Sequence, residues 1–220
     1  MYIIHNTKVD NWINDYNRRI TLKDADFLSL MRRIMISLVL NEEEEGNQKV
    51  EKVVKYTEKN AYFERYERWL RRHHLYTVSF DKIIAVLIEP EIMVPNGESL
   101  TGYAIQYGDE YYVLFNETDE IEITISILTH EIMHAELESL LKQIEKDKGK
   151  EILEPAKEEL VIILEHTFLL EELKIKARDL QMEKVLLFQN LMQSGLEEAI
   201  VQFLKVDSSR LKEDMGCQLV

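Results

Sequence analysis

From Asp119 to Lys148 the chain runs thirty residues without a glycine or a proline, and it then meets Gly149. A stretch so free of breakers reads as one long helix, with Asp119-x-x-Glu122 in the form of a cap and its acidic partner and the glycine as its stop. Ile121, Ile125, Leu128 and Ile132 make one apolar stripe along it, while Ile127, His130, His134, Leu137 and Leu141 line an adjacent one. Two histidines therefore sit among residues that such a helix buries. Residues four apart lie one above the other, so His130 and His134 can offer ring nitrogens to the same point in space. Glu131 points about a quarter-turn away, where it reaches a water on a shared ion and not the ion itself. A lone histidine on an apolar face is most simply a satisfied core residue. The full pattern His130-Glu131-Ile132-Met133-His134, an HExxH, favours a metal site over that explanation.

The flanks of this helix set the expected fold. Only seven glycines and three prolines occur in 220 residues, which implies few long loops and a mainly helical chain. Thr21-Leu22-Lys23-Asp24 looks like a helix start, followed at helical spacing by Phe27, Leu28, Met31, Ile34, Met35 and Leu38. The run Glu42 to Glu45 with Gly46 reads as a solvated connection rather than a cation site. A second helix is expected from about Val50 to His74, with Val53, Val54, Tyr62, Tyr66, Trp69 and Leu70 inward. The aromatic residues of this helix read as core rather than as a binding platform, and the cations Arg71-Arg72 complement its C-terminal dipole. Adjacent His73 and His74 point in different directions and make a poor metal pair.

From Leu75 the pattern changes. Leu75 to Phe80 and Ile83 to Ile88 are rich in β-branched and aromatic residues, and Gly102 to Gln106 and Tyr111 to Phe115 flank a tight-turn sequence, Tyr107-Gly108-Asp109-Glu110. These segments predict a small antiparallel sheet just before the long helix. The strand Tyr111 to Phe115 is expected to offer a free edge to an extended peptide. After Gly149, Glu154-Pro155 reads as the cap and first residue of a second carboxylate-bearing helix, buried on most sides. Helices at about Leu180 to Met192 and Leu196 to Lys205 precede a polar tail. The fold class is thus α+β and mainly helical, divided into an N-terminal helical region (1–74) and a region carrying the motif and the C-terminal helices (75–220), packed as one unit.

A catalytic zinc site has three protein ligands and a position open to water. For the third, the helix after Pro155 offers Glu154, Glu158, Glu159, Glu165 and His166. Glu158 ranks first because Leu160, Val161 and Leu164 place it near an inward face, Glu159 follows closely, and a returning helix could instead bring Glu165 level with His134. Tyr103, Tyr107, Tyr111, Tyr112 and His166 are the candidates for stabilising an oxyanion.

The sheet, the helix bearing His130-Glu131-x-x-His134 and the helix opening with Glu158-Glu159-Leu160-Val161 together resemble a zincin metallopeptidase of the gluzincin type. The resemblance covers about Leu75 to Leu170. It implies a zinc-dependent hydrolase with two histidines and a glutamate on Zn2+, with Glu131 as general base in the cleavage of a peptide or protein substrate. The family often carries an acidic residue four positions after its glutamate ligand, and Ile162 or Ile163 stands there in this chain. Two other classes compete with the peptidase: a catalytically silent zinc-binding module that recognises a partner protein, and a helical structural protein with a fortuitous motif.

Charge narrows the partners. With 41 acidic against 27 basic side chains, the formal charge of −14 repels phosphate backbones and anionic membrane surfaces, so nucleic acid and membrane are not expected partners. A single cysteine, Cys217, can form no internal disulfide. The first residues turn polar too soon for a signal peptide, and no apolar run approaches the ~18 residues of a membrane span. These features predict a cytoplasmic location; no signal for an oligomeric state is present.

Overall fold

The structure is a computed structural model that describes residues 2–19, 21–39, 48–73, 75, 82–175, 182–206 and 211–213. The protein is α+β and predominantly helical. It divides into two compact units, one made of Met1–Tyr62 and Val78–Ala135, the other of Phe63–Thr77 and Glu136–Val220.

The first unit is built on a four-stranded sheet of β1 (Tyr2–His5), β2 (Ile83–Ile88), β5 (Gly102–Tyr107) and β6 (Glu110–Asn116), in the order β1-β2-β6-β5. The expected antiparallel sheet is instead mixed. β1 pairs with β2 in parallel, β2 with β6 in parallel, and only β5 with β6 runs antiparallel. The physical reason lies in the run Ile83-Ile84-Ala85-Val86-Leu87-Ile88, which is apolar at every position because both faces of this inner strand are covered, the pattern of a parallel strand. The expected free edge also moves. β6 is paired on both sides, and the antiparallel edge strand is β5.

Register sorts the two faces. Ile84, Val86, Ile88, Tyr112 and Leu114 face α1 (Thr7–Asn17) and α2 (Asp24–Val39), forming one cluster with Val9, Ile13 and Ile34. Ile83, Ala85, Leu87, Val113 and Phe115 alternate to the opposite face and are equally buried. Gly102 and Ala104 of β5 pair with Phe115 and Val113 and share that second face. The β5–β6 hairpin turns through Gly108-Asp109 as the spacing predicts; Gly108 takes a φ of +64° at the first central position, which glycine adopts without strain. A second short hairpin, β3 (Ile92–Met93) with β4 (Ser99–Leu100), precedes it.

Helix α5 spans Ile121–Lys148, and Gly149 ends it with a φ of +60°. Its start is held by Thr118, whose N–H donates to Thr124 Oγ1 at 3.0 Å. The single helix expected over 50–74 is two: α3 (Gln48–Lys59) and α4 (Tyr62–Arg72). Ala61 breaks them by adopting a left-handed φ of 48°, and the Asn60 side-chain amide donates to the Tyr56 carbonyl at 2.9 Å. The expected strand from Leu75 to Phe80 lies outside the described residues except for Leu75, which is buried.

In the second unit, α6 (Glu154–Phe168) begins after Leu153, with Pro155 in its first turn, and passes into a π-helical turn, Leu169–Leu173. Tyr66 and Trp69 of α4 pack edge-on against Phe168, with ring centroids 4.7 and 5.7 Å apart, so these aromatics are core. Trp69 Nε1 donates to Glu171 at 3.0 Å, which satisfies the indole of a fully buried ring. Helices α7 (Met182–Leu191) and α8 (Leu196–Val206) pack through Phe188 and Phe203. The strand β7 (Lys150–Ile152) pairs with β8 (Leu211–Glu213) in the segment expected to be a polar tail. Among the described residues no helix is long and apolar enough to cross a membrane.

The left-handed stop of α5 is directly testable. Gly149→Ala keeps the helix but forces a Cβ into that conformation, and should cost about 1 kcal/mol, read as a lower urea midpoint with unchanged slope. An unchanged midpoint would mean that the helix does not end there.

Candidate metal centre

Both histidines project from α5 in the first unit, half-buried, with His130 Nε2 and His134 Nε2 3.2 Å apart. The ring centroids are 4.8 Å apart and the planes meet at 74°, so the rings converge at their Nε2 edges rather than stacking. Two nitrogens at Zn–N bonds of about 2.0–2.1 Å and a tetrahedral angle are about 3.3 Å apart. The observed spacing fits that edge. It also fits a hydrogen bond in which the Nε2 that carries the proton donates to the other, so the pair has a metal-free ground state of the same shape.

The residue before the motif anchors it. Thr129 is fully buried, donates to the Ile125 carbonyl at 2.7 Å, and shares a 2.8 Å hydrogen bond with the Tyr62 hydroxyl. That contact fixes the rotation of α5 one residue before His130.

Glu131 is 7% exposed and rests on the edge strand. A Cβ built on Gly102 would fall 2.5 Å from Glu131 Cγ and Oε1, so the carboxylate occupies the space that only glycine leaves open. Because Gly102 shares its face with Phe115 and Val113, Glu131 lies on the side of the sheet opposite α1 and α2. Tyr103 alternates to the α1 and α2 side, where Phe27 meets its ring edge-on at 5.5 Å. Its phenol is pushed up first by burial and then by the negative charge of Glu131. Among the tyrosines expected to stabilise an oxyanion, Tyr103 has a hydroxyl that feels the general-base candidate. Tyr107 is exposed at the turn, Tyr111 is buried in β6, and Tyr112 donates to Glu110 at 2.8 Å with its phenol pushed up to about 12, chiefly by burial.

The second unit carries the third-ligand candidates on α6. Glu158 is exposed, so the inward face expected for it belongs to Leu160, Val161 and Leu164, which are buried. Glu159 is committed to an ion pair with Lys184. Glu154 is largely exposed and pairs with Lys157 at 2.9 Å. Glu165 is 4% exposed, and His166 is half-buried.

A second group of possible donors, His5, Asp10 and Glu89, lies outside the HExxH motif. His5 Nε2 lies 2.7 Å from Asp10 Oδ2, and Asp10 Oδ1 accepts from the Glu89 N–H at 3.1 Å, at the C-terminal ends of β1 and β2. Burial pushes the Asp10 carboxyl up, opposed by its hydrogen bond to His5. Both Asp10 oxygens are thus engaged, and Lys49 sits 3.2 Å from the Glu89 carboxylate. The arrangement is a polar clasp between strand ends. Residues 5, 10 and 89 meet only through the sheet, so no local spacing could have announced them.

The contact of Glu131 with the edge strand makes a structural prediction. Gly102→Ala should displace the Glu131 side chain from Cγ outward and cost roughly 1–3 kcal/mol, since the contact begins at Cγ of a buried residue and not only at the far end of its side chain. A crystal structure of the variant with Glu131 in place would contradict this.

Compared with known protein families, with curated proteins and with solved structures, the chain matches none.

Proposed function

We propose that this protein is a zinc-dependent metallopeptidase that hydrolyses a peptide or protein substrate, with His130, His134 and Glu158 holding the metal and Glu131 acting as general base. The observation that carries this reading is the convergence of the two Nε2 atoms to 3.2 Å on a helix whose intervening glutamate is buried beside them. His130 and His134 are donors on one helix that could hold one ion, and Glu159, the alternative third ligand, forms an ion pair with Lys184. The antiparallel edge strand β5, followed by β6 and then the motif helix, supports the zincin-type arrangement that the sequence resembles.

Zinc held by these residues would supply Lewis acidity towards a carbonyl and would lower the pKa of a water to about 7. The chain's own residues do the rest. Glu131 takes a proton from the attacking water at its carboxylate, the water oxygen bonds to the carbonyl carbon, and the same proton passes to the amine as the C–N bond breaks. Packing against Gly102 restricts the Glu131 carboxylate to one region, which lowers the cost of positioning it. An extended substrate aligns along the edge of β5. The low cysteine content and the acidic surface fit a cytoplasmic setting for this activity.

One observation favours a second reading. Glu131 fills the space over Gly102 whatever its chemistry, and this structural role suits a catalytically silent zinc-binding module. The glutamine variant separates the two.

Protein prepared without a histidine tag should carry about one zinc per chain, and His130→Ala or His134→Ala should abolish it. Glu158→Ala should weaken zinc binding at least about tenfold, or roughly 1.4 kcal/mol, with Glu159→Ala doing less. Full zinc in both histidine variants after dialysis against a mild chelator would place the metal elsewhere.

Glu131→Gln should retain zinc and fold while losing slow hydrolysis of unfolded polypeptide near neutral pH by at least about a hundredfold. Hydrolysis that survives this change, or its absence from the zinc-loaded wild type across a broad peptide library, would favour the silent module.

A further inference from the structure

The groove between α1 and α2 on the first unit has a character opposite to that of the chain. In a protein with a formal charge of −14, a cavity of about 560 Å³ is lined by Lys8, Arg32 and Arg33 together with Trp12 and Ile36. The Arg33 guanidinium lies over the Trp12 ring at 4.2 Å from its centroid, a cation–π contact that holds the side chain in place by its face. Neither Arg32 nor Arg33 has a hydrogen bond or ion pair among the described residues. Carboxylates on the same two helices do not neutralise them. Asp10 is bonded to His5, Asp15 lies 3.8 Å from Arg18, and Asp26 pairs with Arg19. The fourth, Asp24, stands at the start of α2, more than two turns before Arg32.

The apolar part of this surface extends beyond the cavity. Leu28 and Ile36 are 64% and 52% exposed, and with Arg32 between them they form a stripe along one face of α2 at spacings of four. α2 therefore buries Leu30, Met31, Ile34 and Leu38 on one side and presents a mixed apolar and cationic face on the other. A single bound phosphate would meet the arginines but leave that apolar stripe uncovered.

We propose that the α1–α2 groove docks an acidic amphipathic segment of another protein, its carboxylates on Arg32 and Arg33 and its apolar side chains on Trp12, Ile36 and Leu28. Planar guanidinium groups can take carboxylates two bonds at a time, and the aromatic ring and aliphatic side chains give the segment an apolar floor. Attraction is local, since the rest of the acidic surface repels the same segment and so restricts its docking to this groove. The inference stands whether or not the chain binds zinc.

The test uses the full chain and a synthetic amphipathic peptide of glutamate and leucine at helical spacing, with the same peptide carrying lysine at each glutamate as its control. Binding is followed by calorimetry and by tryptophan emission, to which Trp12 responds while Trp69 is fully buried. The glutamate peptide should bind and shift the emission, and Trp12→Phe should remove the shift. Arg32→Glu with Arg33→Glu should weaken binding at least about tenfold, and raising salt from about 50 to about 300 mM should weaken it further. Circular dichroism should be unchanged in this variant, because both arginines are exposed. Equal binding of the lysine peptide, an unaffected double variant, displacement of the peptide by equimolar inorganic phosphate, or self-association of the chain abolished by the double variant would each overturn the proposal.

Discussion

Glu131 lies where a side chain on residue 102 would otherwise be, and this close approach is the constraint around which the first unit is arranged. Any larger residue in β5 would push the carboxylate away. Thr129, bonded to Tyr62 and to the Ile125 carbonyl, sets the rotation of α5 one residue before the motif. With the helix turned in this way, Ile125, Leu128 and Ile132 are all fully buried, while His130 and His134 remain half-buried with their Nε2 atoms together. One short glycine contact and one buried hydroxyl pair thus decide which side of the helix is core and which carries chemistry.

A buried carboxylate must be stabilised by its surroundings or it changes protonation, and several kcal/mol are at stake when it is left alone. On α6 the acidic side chains divide by their surroundings. Glu154 and Glu159 have lysine partners, Lys157 and Lys184, Glu165 is 4% exposed, and Glu158 is exposed in the second turn. The inward face that the sequence suggested for Glu158 is taken by Leu160, Val161 and Leu164, so its carboxylate stays hydrated.

What could be read from the sequence was local. The long helix and its stop at Gly149 follow from the absence of breakers and from a residue that tolerates a φ of +60°. The hairpin through Gly108-Asp109 follows from turn chemistry, and the helical spacing of His130 and His134 places their rings on one side. What stayed hidden was non-local or unpunctuated. Nothing in Tyr2–His5 announces a parallel strand, because its partner is residue 84 and beyond. Ala61 ends a helix without glycine or proline, and the clasp of His5, Asp10 and Glu89 exists only once β1 and β2 are paired.

The account stands on a metal held at the two imidazoles of α5. Anomalous diffraction at the zinc edge from crystals of the tag-free protein locates such an ion without assuming its ligands. The account predicts one anomalous peak per chain, about 2.0–2.1 Å from both His130 Nε2 and His134 Nε2, with Glu131 outside the coordination sphere. A zinc-replete crystal with no peak there, and the two nitrogens still sharing a proton at 3.2 Å, would contradict it.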